Sequence, residues 1–525
     1  MRLGFVRIGL VFSCAVILCV LASCSESKLQ ITKVHAAYSL LAPSESGDTI
    51  LYARVILDGA NKRCPVLTGN DQSEITMSVR GYHPDKNTAS QNFPVTTCEA
   101  IIYPGISYAV SSDVSSSPIK IDAVTLNPSS VIVYGDTGCK TSQCKAGEAA
   151  KPFDLLAQAG VDIDADLILH MGDYNYRGTS GSIRKKPKKI YAYDAGDGGF
   201  EGAACGFVGS EYYSQNASDS PKPDSWKYWQ DDFFKPAKNI LPTAPWVFSR
   251  GNHELCSRAG LGWFYFFGPG SSLEGGVPQL VCPDQGILKS PPQEAKSHIV
   301  MIPPYMLALE PLKLWVVDSA NACDASADNL LTAQYTRQFE QLYEQEGNEQ
   351  ENNEQTQNKP VWMVTHRPLW GGAVKRAKED KRASLFAVPA EVNITPFNIM
   401  MQMALQNTPA TRLPDSVKLI LSGHKHLFQS VSFLASKTER PPQIIIGNSG
   451  VSLNKSPSGR YKTVIDDEIG HLNQLSQYGF LKLELKADNS WQGDVLNQSG
   501  HSIIRCASKN ALAQKTVCKI NESSL

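Results

Sequence analysis

From about residue 128 the chain repeats one pattern: a short apolar run, a polar cluster, then a longer mixed segment. The runs are SSVIVY (129–134), ADLILHM (165–171), APWVFS (244–249), LKLWVV (312–317), PVWMVT (360–365), VKLILS (417–422) and PQIIIG (442–447). Unbroken apolar runs of this length suit strands buried on both faces. Between several of them lie segments with helical patterning, AGEAAKPFDLLAQAG (146–160) and DNLLTAQYTRQFEQLY (328–343). That alternation predicts an α/β domain in which helices cover the sheets. Upstream, residues 25–127 read differently. Runs such as DTILYARVIL and SEITMSVRGY are broken by Gly, Pro, Asn and Asp, with no dominant helical period. They predict a smaller β-rich, sandwich-like N-terminal domain. Two segments read as surface insertions: the polar, low-complexity EQEGNEQENNEQTQN (344–358), expected to be mobile, and the basic loop RKKPKK (184–189).

The division expected is therefore 1–23 as an export signal, 24–127 as the β-rich domain, 128–485 as the main α/β domain and 486–525 as a C-terminal extension with a disulfide. The first of these rests on Arg2 and Arg7 ahead of the apolar run IGLVFSCAVILCVLA, which is short for a membrane span and suited to a signal peptide. Leu21-Ala22-Ser23-Cys24 resembles a bacterial lipobox, which implies cleavage before Cys24 and lipidation of that residue. Ser25 in place of Asp resembles outer-membrane sorting. The expectation is an exported protein held at the bacterial outer membrane by its lipid alone. Of thirteen Cys, ten remain beyond Cys14, Cys19 and Cys24, an even number consistent with disulfides in an oxidising compartment. Cys64–Cys98, Cys139–Cys144 and Cys506–Cys518 are the candidate pairs, and none of the Cys has zinc-site spacing. At 525 residues, 42% apolar and 19% charged with a net charge of -1, the composition is that of an ordinary globular protein. It points away from a nucleic-acid scaffold.

The chemistry sits in the polar clusters. Gly135-Asp136-Thr137-Gly138 follows VIVY, and Gly172-Asp173-Tyr174-Asn175-Tyr176 follows LILHM. Gly251-Asn252-His253-Glu254 follows PWVFSR, His366-Arg367-Pro368 follows VWMVT, and Gly423-His424-Lys425-His426 follows VKLILS. Each cluster alone is weak, since a lone Gly-Asp is usually a turn. Together they place metal-competent side chains at the carboxyl ends of five strands, where open α/β sheets bind ligands. A polar group there is costly to bury unless a cation compensates it. Asp173 has two oxygens and can bridge two ions. His424 and His426, two residues apart, would face the same way on extended backbone and reach adjacent ions. Asn252 offers a neutral oxygen, leaving His253 free for proton transfer.

The set DxG, GDxxY, GNHE, HxP and GHxH resembles the calcineurin-like metallophosphoesterase superfamily, and within it the purple acid phosphatases. Many superfamily members carry a metal-binding His at the position held here by Gly138; the purple pattern supplies a Tyr instead, matched by Tyr176. The resemblance spans roughly 128–450 and implies a two-sheet αββα sandwich. It implies one metal held by Asp136, Asp173, Tyr176 and His426, and a second held by Asp173, Asn252, His366 and His424. Two carboxylates and a phenolate suit Fe(III); two imidazoles and an amide suit Fe(II), Zn(II) or Mn(II). The implied reaction is hydrolysis of a small-molecule phosphate monoester by a metal-activated hydroxide, with His253 as general acid and Arg367 as a candidate phosphate contact. The alternatives are a phosphodiesterase acting on nucleotides or lipid headgroups with the same metals, and a non-catalytic surface-anchored binding protein on the same fold. Among neighbouring residues, His170 is expected to pack, Glu254 to orient a neighbour, Asp318-Ser319 to end a strand, and Gly447–Gly450 to line the cleft floor.

Overall fold

The computed structural model describes residues 33–87, 91–110, 119–140, 143–144, 151–176, 224–256, 258–283, 299–324, 327–352, 359–376, 392–396, 398–433, 440–488, 490–508 and 516–521. The export signal, Cys24, the basic loop 184–189 and residues 353–358 of the polar segment lie outside them.

Every apolar run of the main domain forms a strand, and the strands divide between two large sheets. In the first, Ser130–Tyr134, Leu167–His170 and Trp246–Phe248 pair in parallel at the centre of eleven strands. In the second, Lys313–Val317, Val361–Thr365, Val417–Ser422 and Gln443–Ile446 are the parallel centre of eight. Side-chain alternation shows how the sheets stack. Val131, Val133, Leu169 and Val247 share one core with Leu314, Val316, Val364 and Leu421 of the other sheet. Their sequence neighbours Ile132, Tyr134 and Ile168 point outward against Phe153 and Leu156 of the helix Lys151–Val161 and the helix Gly260–Phe266. Likewise Trp315, Val317 and Ile420 face the helices Asn329–Asn352 and Ile399–Gln406. Both faces of each central strand are apolar because one meets the opposite sheet and the other a helix layer. This is the αββα sandwich expected from the sequence.

The N-terminal region is β-rich as expected, and it is continuous with the first large sheet. Val34–Pro43 pairs in parallel with Trp246–Phe248 through Leu40 and Trp246, then in antiparallel with Thr49–Asp58, which pairs with Val95–Ile101. A separate four-stranded sheet holds Val66–Gly69, Glu74–Thr76, Tyr108–Val110 and Ile119–Ile121. At the other edge, Phe480–Leu485 pairs with Ser130–Tyr134, and Trp491–Leu496, Ser502–Ser508 and Thr516–Ile520 continue outward. The change of texture near residue 128 is not a break in the hydrogen-bonded ladder: Val34–Pro43, Thr49–Asp58 and Val95–Ile101 are themselves buried on both faces.

All three candidate disulfides are formed, and a further bridge joins Cys256 to Cys282; Cys323 is also disulfide-bonded. The polar segment expected to be mobile from residue 344 is helical as far as Asn352, because it prolongs the amphipathic helix that begins at Asn329. Glu and Gln are good helix formers once a nucleated helix precedes them.

Candidate metal centre

The parallel strands of both sheets end at one edge, and there the chain turns sharply. Asp136, Asp173 and His424 all occupy left-handed backbone, with φ of +58°, +62° and +72°. Such conformations cost non-glycine residues of order 1–3 kcal/mol each and persist where the surroundings over-determine them. The surroundings do so here. Asp136 N–H donates to Gly172 O at 3.0 Å, His424 N–H to Asp136 Oδ2 at 2.7 Å, and Asp173 N–H to Glu254 Oε2 at 2.9 Å. His424 and His426 therefore reach neighbouring places through a turn, and not from extended backbone as the i, i+2 spacing suggested. Gly172 is required twice over: its φ is +94°, and a Cβ would sit 2.6 Å from His366 Nδ1.

Donor atoms gather in two clusters that share Asp173. Asp136, Asp173 and His426 form one, and Asp173, His366 and His424 the other, each with ligand atoms within 4.8 Å of one another. In the first, the Tyr176 hydroxyl lies 3.0 Å from Asp136 Oδ1, 2.9 Å from Asp173 Oδ2 and 3.1 Å from His426 Nε2. In the second, Asn252 Oδ1 lies 3.0 Å from both His366 Nε2 and His424 Nδ1, and Asp173 Oδ1 is 3.4 Å from His366 Nε2. Asp173 thus directs one oxygen to each cluster. All seven side chains expected as ligands converge. Gly138 is part of the same geometry, because a Cβ there would lie 2.6 Å from Tyr176 Cδ2.

Protons are too few to explain this packing. His366 Nδ1 is held by Met171 O at 2.6 Å, His426 Nδ1 by Ser452 O at 3.1 Å, and His424 Nε2 by Asp324 Oδ2 at 2.9 Å. Each of these contacts is with an acceptor, while His424 Nε2 also lies 3.1 Å from Arg367 Nη1; the shorter contact to the carboxylate assigns the proton to Nε2, so in all three rings the other nitrogen turns its lone pair inward. Burial lowers His366 to about 4 and, helped by Lys140, His426 to about 3, so both rings are neutral around pH 7. Asn252 Oδ1 then faces two nitrogen lone pairs, and Tyr176 has one proton for three acceptors. Asp136 is pushed well up by burial and by Asp173; Asp173 is held below the ordinary carboxylate range despite its burial, by the neighbouring imidazoles to the extent that they are protonated and by the backbone N–H of His253. Tyr176 is pushed well up by burial and both carboxylates. Crowded lone pairs and carboxylates are what a cation in each cluster would relieve. The residues fit a dinuclear centre, with the harder, more anionic donor set around Tyr176.

Beside the clusters, the His253 ring lies against the Tyr176 ring, centroids 3.9 Å apart and planes tilted by 39°, and the His253 backbone N–H donates to Asp173 Oδ1 at 2.8 Å. Arg258 Nη2 lies 3.1 Å from both ring nitrogens; burial and this guanidinium hold the imidazole well below its usual value. Lys140 is half-buried with its ammonium 5.9 Å from the Tyr176 ring centre. Arg367, expected as a phosphate contact, is fully buried and ion-paired with Asp324 at 3.0 Å. His170 packs on Tyr174 and bonds Thr137 Oγ1, as expected.

The supports come from places a motif does not reveal. Glu254 accepts N–H bonds from Asp173, Tyr174, Asn175 and Gly251 at 2.8–3.2 Å, which ties two ligand loops to one carboxylate. Tyr176 N–H donates to Asp232 Oδ2 at 2.9 Å, and Asp232 lies in a π-helical turn, Gln230–Phe234. The turn after Lys313–Val317 does more than end a strand: Asp318 pairs with Arg250 at 3.1 Å and Ser319 Oγ accepts from Arg367 N–H at 2.7 Å. Gly447–Gly450 packs under Asp136, with Val451 N–H donating to Asp136 O at 2.9 Å. Glu254 inside GNHE, Asp318-Ser319 and Gly447–Gly450 had a sequence signal from their places after apolar runs; Asp232 had none.

The Calcineurin-like phosphoesterase family model matches residues 129–428. Among solved structures, the chain is similar to the purple acid phosphatase PPD1 from yellow lupin (Lupinus luteus) seeds, with 13% identity and a TM-score of 0.46 over 89% of this chain and 73% of that one. No curated protein matches it. With a family model covering more than half its length and every strand-end motif of that family gathered at one edge of the sandwich, the chain belongs to the calcineurin-like phosphoesterases and is a hydrolase of that family.

Proposed function

We propose that the protein is a dinuclear-metal phosphomonoesterase of the purple acid phosphatase type. The observation that carries this reading is the Tyr176 hydroxyl, set within 3.1 Å of Asp136 Oδ1, Asp173 Oδ2 and His426 Nε2 in space that Gly138 leaves open. A phenol has a solution pKa of roughly 10, so its use as an anionic ligand calls for a strong Lewis acid, and Fe(III) is the cation we assign there. The neutral set of Asn252, His366 and His424, with one oxygen of Asp173, suits Zn(II), Fe(II) or Mn(II).

Two bound cations supply Lewis acidity, which draws charge from phosphate oxygens and lowers the pKa of water. The chain's own groups do the rest. Asp173 spans the clusters and fixes their separation. Asn252 contributes an oxygen without adding charge. His253 stands beside the centre on Tyr176 and is our choice to protonate the leaving oxygen. Arg258 opposes a proton on that ring, and the negative charge of a bound phosphate offsets the opposition. Lys140 and Arg258 put two cations on this side, which favours the dianion of a monoester over the monoanion of a diester. We further assign the protein to the outer membrane through lipid on Cys24, on the strength of the tetrapeptide ending there.

A substrate panel on the purified protein, with metal analysis of the same sample, tests the reading. The expected result is a higher kcat/KM for p-nitrophenyl phosphate than for bis(p-nitrophenyl) phosphate, with iron present. Faster diester cleavage would overturn the substrate assignment and leave the family intact.

A further inference from the structure

The three histidines of the two clusters are anchored unequally. His366 and His426 donate their outer N–H groups to backbone carbonyls, Met171 O and Ser452 O. His424 Nε2 meets a carboxylate, Asp324 Oδ2, at 2.9 Å. Asp324 lies in the turn after Lys313–Val317, a strand whose end contributes no atom to either cluster. Arg367 Nη1 at 3.0 Å from Oδ1 and Lys425 Nζ at 3.1 Å from Oδ2 hold this carboxylate in place. Both cations come from the loops that supply His366 and His424, so Asp324 closes a bridge between them. Its side chain is 23% exposed, whereas Arg367 is fully covered.

We infer that Asp324 is a positioning residue for the Asn252–His366–His424 cluster, acting through His424 to raise that site's affinity for its cation. The inference rests on the dinuclear reading above. A carboxylate accepting the Nε2 proton leaves the Nδ1 lone pair inward, 3.0 Å from Asn252 Oδ1, and makes the imidazole a stronger donor. The opposite tautomer would set a nitrogen lone pair 2.9 Å from the carboxylate, with Arg367 Nη1, 3.1 Å away and already bonded to Asp324 Oδ1, as its donor. The effect matters most in this cluster, because its protein ligands bring only a share of one negative charge. The other cluster has Asp136 and Tyr176 besides Asp173, and its histidine needs only a carbonyl. The charged anchor thus compensates a weak donor set, and the two sites are graded by what stands behind their ligands.

The test is zinc binding to the metal-stripped full chain, by competition with a fluorescent chelator, for the wild type, Asp324→Asn, His424→Ala and the double variant. Metal-free circular-dichroism melts choose a temperature at which all four are folded. The wild type is expected to take up two ions. Asp324→Asn should weaken one of them about 10–100-fold and leave the other unchanged. In the His424→Ala background, Asp324→Asn should change the remaining affinities less than about twofold, because its effect runs through the missing ring. Wild-type affinities in Asp324→Asn, equal weakening of both sites, or a full additional loss in the double variant would each overturn the inference. A wild type that binds a single ion sinks the dinuclear reading as well; two ions with an indifferent Asp324→Asn sinks this inference alone.

Discussion

Replacing Glu254 by Gln changes one oxygen for one NH2 and removes a charge, and the structure says what that does. The Glu254 carboxylate is fully buried and all four of its partners are backbone N–H donors: Asp173, Tyr174, Asn175 and Gly251. Oε1 serves Tyr174 and Asn175, while Oε2 serves Asp173 and Gly251. A Gln can present its oxygen to one of these pairs only; its NH2 then faces the other two donors. Each buried N–H left without an acceptor costs roughly 1–3 kcal/mol, so Glu254→Gln should destabilise the fold by about 2–6 kcal/mol. The loss should also reach metal binding, because these four bonds set the turn that presents Asp173 and Tyr176. Burial and Asp173 push the Glu254 carboxyl up to about 8, a tendency that would make Gln a good mimic of a protonated Glu at pH 7. Four donors and no acceptor argue for the carboxylate. Urea unfolding of metal-free wild type and Glu254→Gln at pH 7, followed by metal titration, decides between them. A stability difference under about 1 kcal/mol together with normal metal content would refute the reasoning and make Glu254 a neutral acid held by packing.

The remaining predictions concern the site and the pH dependence of the fold. His253→Ala should lower kcat by about 10²–10⁴ with both metals retained; loss of metal would show that the ring is needed to build the centre. Tyr176→Phe should abolish any visible phenolate-to-Fe(III) absorption and weaken the Tyr176-side cation, and an unchanged spectrum would demote the iron assignment. Asp224, buried against Gly262 N–H at 2.7 Å and Trp229 Nε1–H at 2.8 Å, is pushed up by burial to about 7. A carboxyl whose folded value lies above its unfolded one contributes stability when protonated and loses it as pH rises through the folded value. The stability of wild type relative to Asp224→Asn should therefore fall by up to about 4 kcal/mol between roughly pH 4 and pH 8; a flat or rising difference in urea unfolding would contradict it.

How far the sequence reaches can be judged residue by residue. Val131, Val133, Leu169, Val316 and Leu421 announced doubly covered strands because burial on both faces leaves no polar position in the run. Asp136, Asp173, Asn252, His366 and His424 could be found because each stands at or just beyond the end of such a run, and a strand end is a local event. His424 and His426 were placed correctly for the wrong reason, since the left-handed turn at His424 is held by Asp136, nearly three hundred residues away in the chain. For Arg367 the sequence could not show its surroundings: its Nη1 lies 3.0 Å from Asp324 Oδ1 and 3.1 Å from His424 Nε2 in the folded chain. Asp232 and Asp324 had no signal, because an Asp in a helix or after a strand looks like any solvated carboxylate.

Alone, the amino-acid order determined the alternating α/β layout and the metal-competent clusters at the strand ends, since periodicity and strand-end chemistry are written in neighbouring residues; Tyr176 as a ligand came from the family resemblance. Tertiary structure alone decided that the N-terminal strands extend the central sheet, that Cys256 bridges to Cys282, and which carboxylates and carbonyls hold each ligand in place. Those choices depend on hydrogen bonds between segments tens to hundreds of positions apart. Only the folded chain brings such partners within reach, so no local pattern can encode them.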